Sequence, residues 1–133
     1  MAIRVVRLGS ERLPGEGLRV GTVRRPPRGV PKAEIAERGF YDVWLPELAP
    51  SEALLKAGQA AGDERQWRAF ARRYRAEMKA PEKRHLLDLL AALSRHTDFS
   101  VGCYCADESR CHRSLLRELL AEHGAVLAAA KDW

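Results

Sequence analysis

The spacing of hydrophobic residues predicts short strands that alternate with amphipathic helices. Apolar and polar residues alternate over residues 2–8 and 18–23, and a compact apolar run occupies residues 99–104, so these three segments are predicted strands. Residues 40–45 form a short aromatic segment that is either a strand or an irregular part of the core. Residues 125–127 are a candidate last strand.

Helical periodicity dominates the middle of the chain. Ser51 and Asp63 each precede a segment with helical hydrophobic spacing and are predicted helix caps, and Pro81 is predicted to begin a third long helix. A short helix is predicted over residues 32–38 and a final one over residues 114–122. The second long helix has its inward residues at positions i, i+3, i+4, i+7 and i+11, and these are Trp67, Phe70, Ala71, Tyr74 and Met78.

The order of these elements is typical of an α/β domain. Because helices separate the strands, we expect one small α/β domain over residues 1–133, with a mixed sheet of about four to five short strands flanked by helices. No apolar run approaches the roughly 18 residues of a membrane span, and the N-terminus lacks a signal-peptide pattern. We therefore expect a cytoplasmic protein with no membrane partner.

Positive charge is concentrated in the N-terminal quarter. The chain has 23 basic and 18 acidic residues, which gives a net charge of +5. Residues 1–32 contain eight basic and two acidic residues (+6), and the remaining 101 residues contain 15 and 16 (−1). A field of this sign attracts small anions or nucleic acid, or it is a solvated surface that keeps the protein in solution.

All three cysteines lie in one short segment. Cys103, Cys105 and Cys111 are followed directly by His112 and Arg113. An odd number of cysteines argues against a disulfide scaffold and favours a reducing compartment. The segment joins a predicted strand to a predicted helix, where the first helical N–H groups point at a bound ligand. We therefore expect the functional site here.

An anion-accepting reactive thiol is the leading interpretation of this segment. Cys105 ends the predicted strand, and Cys111 and His112 fall in the first turn of the last helix if Ser109 is its cap. The helix dipole and the neighbouring arginines favour the thiolate, which is the form that attacks electrophiles. The alternative is that these cysteines are buried core residues with a structural role only.

The predicted catalytic residues are Cys105, Cys111, His112 and Arg113. Either Cys105 or Cys111 would be the nucleophile, and His112 would accept or donate a proton. Arg113 and Arg110 would neutralise the charge of a bound anion.

A rhodanese-like or phosphatase-like loop is a second interpretation. Cys105 and Arg110 are five residues apart, like the cysteine and the arginine of a rhodanese loop. Such loops usually contain glycine, whereas residues 106–109 read Ala-Asp-Glu-Ser. Two carboxylates in the loop would repel an oxyanion. Cys111 and Arg117 match the phosphatase spacing as well, but within a predicted amphipathic helix.

A zinc-stabilised interaction domain is a third interpretation. Cys103, Cys105, Cys111 and His112 could supply four ligands to a tetrahedral zinc ion. The spacing differs from paired Cys-x-x-Cys knuckles, and adjacent Cys111 and His112 would point about 100° apart on a helix. We expect no cofactor and keep this metal set as an alternative.

A proline-rich loop contains the second group of candidate residues. Arg24, Arg25 and Arg28 lie among the prolines of residues 24–31, and a stiff loop with several guanidinium groups is preorganised for anions. We predict that these three arginines bind a small anionic ligand and form the wall of a cleft opposite the cysteines.

Nucleic acid is the alternative partner. A binding module without catalysis would combine the N-terminal arginines with those of the second long helix, and its affinity would fall steeply with salt. The helical arginines in question are Arg68, Arg72, Arg73 and Arg75.

The chain resembles the DUF488 family of bacterial proteins, including its YeaO-like members. The resemblance lies in residues 24–29, 44–51, 67–78 and 105–116, and the Cys-x5-Cys-His-Arg segment that begins at Cys105 is its most specific part. YeaO-like members often lack this segment, so the chain is similar to a cysteine-bearing branch. The resemblance implies a cytosolic α/β domain and implies no particular activity.

Overall fold

Four parallel strands form one sheet. The computed structural model describes residues 1–105 and 111–128. Within these residues, the strands lie side by side in the order β1-β4-β2-β3. Their bounds are β1 (Ile3–Arg7), β2 (Leu18–Gly21), β3 (Val43–Trp44) and β4 (Phe99–Cys103).

The α/β class is confirmed, but the expectation of a mixed sheet is wrong, because every paired strand runs parallel to its neighbour. Neighbouring strands are joined by long connections, so the chain enters each strand from the same end of the sheet. The uncertain aromatic segment contributes only the two-residue β3. At the C-terminal end, Leu127 makes a single parallel bridge to Ile3.

Four α-helices follow the predicted positions within the described residues. They are α1 (Glu52–Gln59), α2 (Glu64–Glu77), α3 (Pro81–Leu93) and α4 (His112–Glu122). The predicted short helix over residues 32–38 is only a 3₁₀ turn, Lys32–Glu34, and a second 3₁₀ turn covers Pro46–Leu48. None of the described helices is both long and apolar enough to cross a membrane.

The predicted caps of two helices are present. The Ser51 side chain accepts a hydrogen bond from Leu54 N–H at the start of α1. The Asp63 side chain accepts one from Gln66 N–H at the start of α2. At α4, however, the cap is Cys111, which has an extended backbone (φ −128°, ψ 152°), and the helix begins at His112. The expected placement of Cys111 inside the first turn is therefore wrong, and Ser109 lies outside the described residues.

Hydrophobic residues form two clusters, and β1 contributes to both. Successive strand residues point to opposite faces, so Val5 joins the larger cluster with the α-helices, whereas Val6 joins the smaller one. The smaller cluster contains Cys103 and Cys111 together with residues of the segment between β2 and β3. The cysteine region is thus built into an apolar layer.

A buried ion pair lies under the N-terminal loop. Arg19 Nε is 2.5 Å from a carboxylate oxygen of Glu16, and both side chains are at most 2% exposed. Ser100 Oγ donates to the same carboxylate at 3.0 Å. Arg19 therefore stabilises the fold and does not contribute to a surface field of the N-terminal quarter.

The carboxyl end of β4 positions the cysteines. Because all strands are parallel, the carboxyl ends of β2 and β4 meet at one edge of the sheet, the usual place for ligands in such folds. Gly102 lets β4 approach β1 closely, since a Cβ atom there would lie 2.5 Å from the Val6 carbonyl oxygen. Cys103 comes next, at the end of β4.

Candidate functional site

Three thiols meet between the end of β4 and the start of α4. The Sγ atoms of Cys103 and Cys111 are 2.6 Å apart, and both side chains are buried. Cys105, two residues after Cys103, is exposed, and both of these thiols lower its pKa as hydrogen-bond donors. The arrangement presents one sulfur atom to solvent and holds two behind it.

The three thiols differ in their affinity for a proton. Hydrogen bonds from Cys103 and Cys111 lower the pKa of Cys105 well below its ordinary value, against the effect of burial, and the charge of Arg113 lowers it further. The hydrogen bond to Cys105 raises the pKa of Cys103. For Cys111, the Cys103 hydrogen bond lowers the pKa, but the bond to Cys105 and burial outweigh it and raise the pKa overall. The thiolate is therefore favoured at Cys105.

His112 lies beneath the cluster as a neutral imidazole. Its Nε2 is 2.7 Å from the Thr22 carbonyl oxygen, which can only accept, so Nε2 carries the proton. Its Nδ1 is then a free acceptor, 3.7 Å from Cys111 Sγ. Burial lowers the pKa of His112 to about 4. Through this geometry, His112 Nδ1 can accept a hydrogen bond from the Cys111 thiol.

Arg113 fixes the backbone of the exposed cysteine. Its side chain is buried, and one terminal nitrogen donates to the Cys105 carbonyl oxygen at 2.5 Å. Its Nε has no hydrogen-bond partner within the described part of the chain. A buried cation next to Cys105 favours negative charge there. Arg110, the other predicted arginine of this segment, lies outside the described residues.

A cavity of about 620 Å³ opens above Cys105. One part of its lining is the proline-rich loop with Arg24, Arg25 and Arg28, and the cysteine segment forms another part. The remaining lining includes Val23, Phe40, Pro50, Glu52, Leu55, Lys56 and Gln59. This volume is in the range of pockets that hold organic ligands, which are usually larger than an inorganic anion.

The three arginines of this wall are held differently. Arg24 donates from Nε to the Pro50 carbonyl oxygen at 3.0 Å, so its guanidinium is anchored to backbone. Arg25 pairs with Glu52 at 2.9 Å. Arg28 is exposed and makes no ion pair with another described residue. Arg28 is therefore the arginine of this loop whose charge is least compensated.

The buried cluster has the composition of a soft-metal site. The Sγ atoms of Cys103 and Cys111 and a ring nitrogen of His112 all lie within 4.8 Å of one another. The expected divergence of Cys111 and His112 does not occur, because Cys111 precedes the helix and its side chain is not constrained by helical geometry. With Cys105, these are the four residues that the sequence offers as alternative zinc ligands.

Comparison with known proteins identifies the family to which the chain belongs. The model of a family described as the active DUF488-N3 subclade matches residues 3–124. The chain belongs to the DUF488 family. Both the α/β fold and the cysteine cluster of this DUF488 member lie within the matched residues. No protein with curated annotation matches the chain, and no solved structure matches it.

Other predicted residues of this DUF488 chain lie away from the cluster. Arg117 donates to the Ala128 carbonyl oxygen at 3.0 Å and does not line the cavity. Arg75 on α2 is 2.8 Å from both Glu118 and Glu122, so its charge is compensated. Arg68, Arg72 and Arg73 are exposed on α2, and they also do not line the cavity.

Sequence patterns do not identify several residues of the site. Thr22 contributes through its backbone carbonyl, which every residue possesses. Tyr74 packs its ring 5.7 Å from that of His112, but in the sequence it is only one of several inward helix residues. Phe40 and Lys56 come from distant segments, so only the tertiary fold brings them to the cavity.

Proposed function

We propose that this DUF488 member is a cysteine-dependent enzyme that acts on a small organic anion, with Cys105 as its nucleophile. The observation that carries the proposal is the position of Cys105, which is exposed in a cavity and lies beside two buried thiols. The description of the matching subclade as active agrees with a catalytic role. Unpaired thiols persist in a reducing compartment, so we expect the protein to act in the cytoplasm.

Each neighbour of Cys105 has a role in this proposal. Cys103 and Cys111 donate hydrogen bonds that stabilise the thiolate, and the Arg113 guanidinium adds a favourable charge. His112 is a positioning residue that acts through Cys111, because its free Nδ1 faces Cys111 Sγ rather than Cys105. The attack itself needs an electrophilic atom of the ligand at Cys105 Sγ.

The cavity lining supports an anionic ligand with an apolar part. Arg28 and Lys56 are exposed cationic side chains at the cavity, while Val23, Phe40 and Leu55 supply apolar surface. Guanidinium groups bind carboxylate and phosphate oxygens in a fork. The ligand would place its anionic group against the loop and its reactive atom above Cys105.

Two alkylating reagents that differ in charge test this proposal. Iodoacetate is an anion and iodoacetamide is its neutral analogue, so the ratio of their rates at Cys105 reports the local field. Replacing Arg28 and Lys56 together (R28A/K56A) should lower the iodoacetate rate about two- to fivefold and leave the iodoacetamide rate unchanged, as expected for charges near a solvated site. Peptide mass mapping assigns the label.

Arg72→Ala is the matched control, because Arg72 is exposed on α2 and does not line the cavity. Its rate ratio should equal that of the unmodified protein. If R28A/K56A changes the rates of both reagents equally, or changes neither rate, Arg28 and Lys56 do not attract anions to Cys105. This part of the proposal is then wrong.

A metal centre is the second candidate function. It is favoured by one observation, the approach of two buried thiols and a neutral imidazole nitrogen to within 4.8 Å. Neutral histidine and thiolate are the forms that bind zinc, and the Thr22 carbonyl would orient His112 in the manner of an outer-shell ligand. Elemental analysis of the purified protein tests this candidate: about one equivalent of metal per chain supports it, and absence of metal after purification without chelator contradicts it.

A further inference from the structure

The three sulfur atoms permit chemistry that a single nucleophile cannot perform. We infer that Cys111 and Cys103 are resolving thiols, and that the cluster reduces a hydroperoxide at Cys105 and stores the two oxidising equivalents as a disulfide. The inference rests on the same exposed thiol as the proposed function. It adds an oxidant class and a role for the two buried cysteines.

The contacts carry this inference. A nucleophilic cysteine that only forms an ester-like intermediate needs no thiol beside it. Here Cys105 lines the same cavity as Cys103, whose Sγ is 2.6 Å from that of Cys111. An electrophilic sulfur formed at Cys105 would therefore have a pair of thiols beside it. A small peroxide can reach Cys105 because its side chain is exposed.

The first step is oxygen transfer. The Cys105 thiolate attacks the outer oxygen of the hydroperoxide, the S–O bond forms, and the O–O bond breaks. The leaving alkoxide or hydroxide takes a proton and departs as alcohol or water. Sulfur is oxidised by two electrons to the sulfenic acid, and the peroxide is reduced by two.

The second step resolves the sulfenic acid. Cys111 Sγ attacks Cys105 Sγ, a disulfide forms, and hydroxide leaves with the thiol proton as water. His112 Nδ1 faces Cys111 Sγ at 3.7 Å and can orient this thiol by accepting a hydrogen bond, while the thiol proton passes to the leaving hydroxide.

A final exchange moves the disulfide inward. Cys103 Sγ attacks Cys111 Sγ, the Cys103–Cys111 disulfide forms, and Cys105 leaves as a thiolate while the Cys103 proton passes to solvent. Both sulfur atoms of this disulfide are buried in the smaller hydrophobic cluster. Cys105 is then free again. For reduction, the reverse exchange returns the disulfide to Cys105 and Cys111, and one thiol of an external dithiol attacks the exposed Cys105 Sγ and releases Cys111 as a thiol. The second external thiol then displaces Cys105, and the dithiol leaves as its own disulfide.

Disulfide mapping after oxidation tests the inference directly. The full chain is treated with one equivalent of hydrogen peroxide, remaining thiols are alkylated, and peptides are mapped without reduction. We expect an intramolecular Cys103–Cys111 disulfide with Cys105 alkylated. In Cys103→Ser the exchange has no partner, so the disulfide should instead join Cys105 and Cys111.

A double variant removes both resolving thiols. In C103S/C111S the sulfenic acid at Cys105 has no neighbour to attack it, so one equivalent of peroxide should leave one oxygen atom on this cysteine, which dimedone captures. With the same single equivalent the unmodified chain should form its disulfide and give no dimedone adduct at Cys105. Disulfide mapping of the unmodified chain does not depend on the variants. The inference therefore remains testable even if a variant fails to fold.

The outcomes separate this inference from the proposed function. Rapid alkylation of Cys105 without any intramolecular disulfide after peroxide overturns the inference and leaves the proposed nucleophile intact. With one equivalent of peroxide, oxygen retained on Cys105 of the unmodified chain, or disulfides only between chains, also overturns it. If Cys105 reacts with neither peroxide nor alkylating reagent, the inference and the proposed function fail together.

Discussion

At the scale of single residues, the ion pair of Glu16 and Arg19 shows how burial changes the role of a charge. Arg19 belongs to the basic N-terminal quarter, yet its guanidinium is buried against the Glu16 carboxylate and donates to backbone carbonyls as well. Breaking a buried pair leaves an uncompensated charge inside the protein. The pair therefore stabilises the loop that precedes β2.

Replacing the carboxylate should destabilise the fold strongly. We expect Glu16→Gln to lower the free energy of unfolding by about 3 kcal/mol near pH 7, since Arg19 then lacks its counter-charge. Urea-induced unfolding measures this loss. Glu11→Gln is the control, because Glu11 is exposed and should change stability little. Equal stability of Glu16→Gln and the unmodified protein would show that the pair does not stabilise the fold.

The same pair predicts a pH dependence. Burial raises the pKa of Glu16, but the hydrogen bonds from Arg19, Leu13 and Ser100 outweigh it and lower the pKa in the folded state. An acid with a lowered folded pKa contributes stability that is complete above its unfolded pKa and is lost as pH falls below it. The stability difference between the unmodified protein and Glu16→Gln should therefore be constant near neutrality and shrink below about pH 4.5. A difference that grows on acidification contradicts this assignment.

At the scale of elements, helix caps connect local sequence to the site. The Asp63 side chain accepts from Gln66 N–H at 2.8 Å and begins α2, the helix that places Tyr74 against His112. Ser51 begins α1, which contributes Leu55 to the cavity. A cap thus influences the site through the helix that it begins.

Removing the α2 cap should lower the stability of the fold moderately. We expect Asp63→Ala to lower the free energy of unfolding by about 1 kcal/mol, because one N–H at the helix start loses its acceptor. Asp63→Asn retains an acceptor and should stay close to the unmodified protein. Thermal unfolding of the three proteins measures the difference, and a loss in Asp63→Asn as large as in Asp63→Ala would contradict the capping role.

Elements with a strong local pattern are the ones that the sequence predicts well. The alternation in β1 and the helical spacing in α2 are properties of consecutive residues, so both elements lie where the pattern indicates. Strand direction depends on which strands become neighbours. Local sequence patterns do not indicate which strands pair. The prediction of a mixed sheet is therefore wrong, and the sheet is parallel. The start of α4 also differs from the prediction, because Cys111 has the cap conformation and the helix begins at His112.

At the scale of the whole molecule, the site joins segments that are far apart in sequence. The clustering of Cys103, Cys105 and Cys111 is visible in the sequence, and their neighbours along the chain include His112. Which thiol is exposed is decided by packing against the smaller hydrophobic cluster. The Thr22 carbonyl that orients His112 and the cavity between loop and cysteines exist only in the assembled fold.

The alkylation rate of Cys105 as a function of pH shows whether it is an activated and accessible thiol. Iodoacetamide labelling of each cysteine is followed by peptide mass mapping, with and without chelator. We expect Cys105 to react fastest, its rate to stay high well below the ordinary thiol pKa of about 8.5, and chelator to change none of the three rates. Slow labelling of Cys105 at a rate equal to that of Cys103 and Cys111, or labelling that requires chelator, would contradict this expectation.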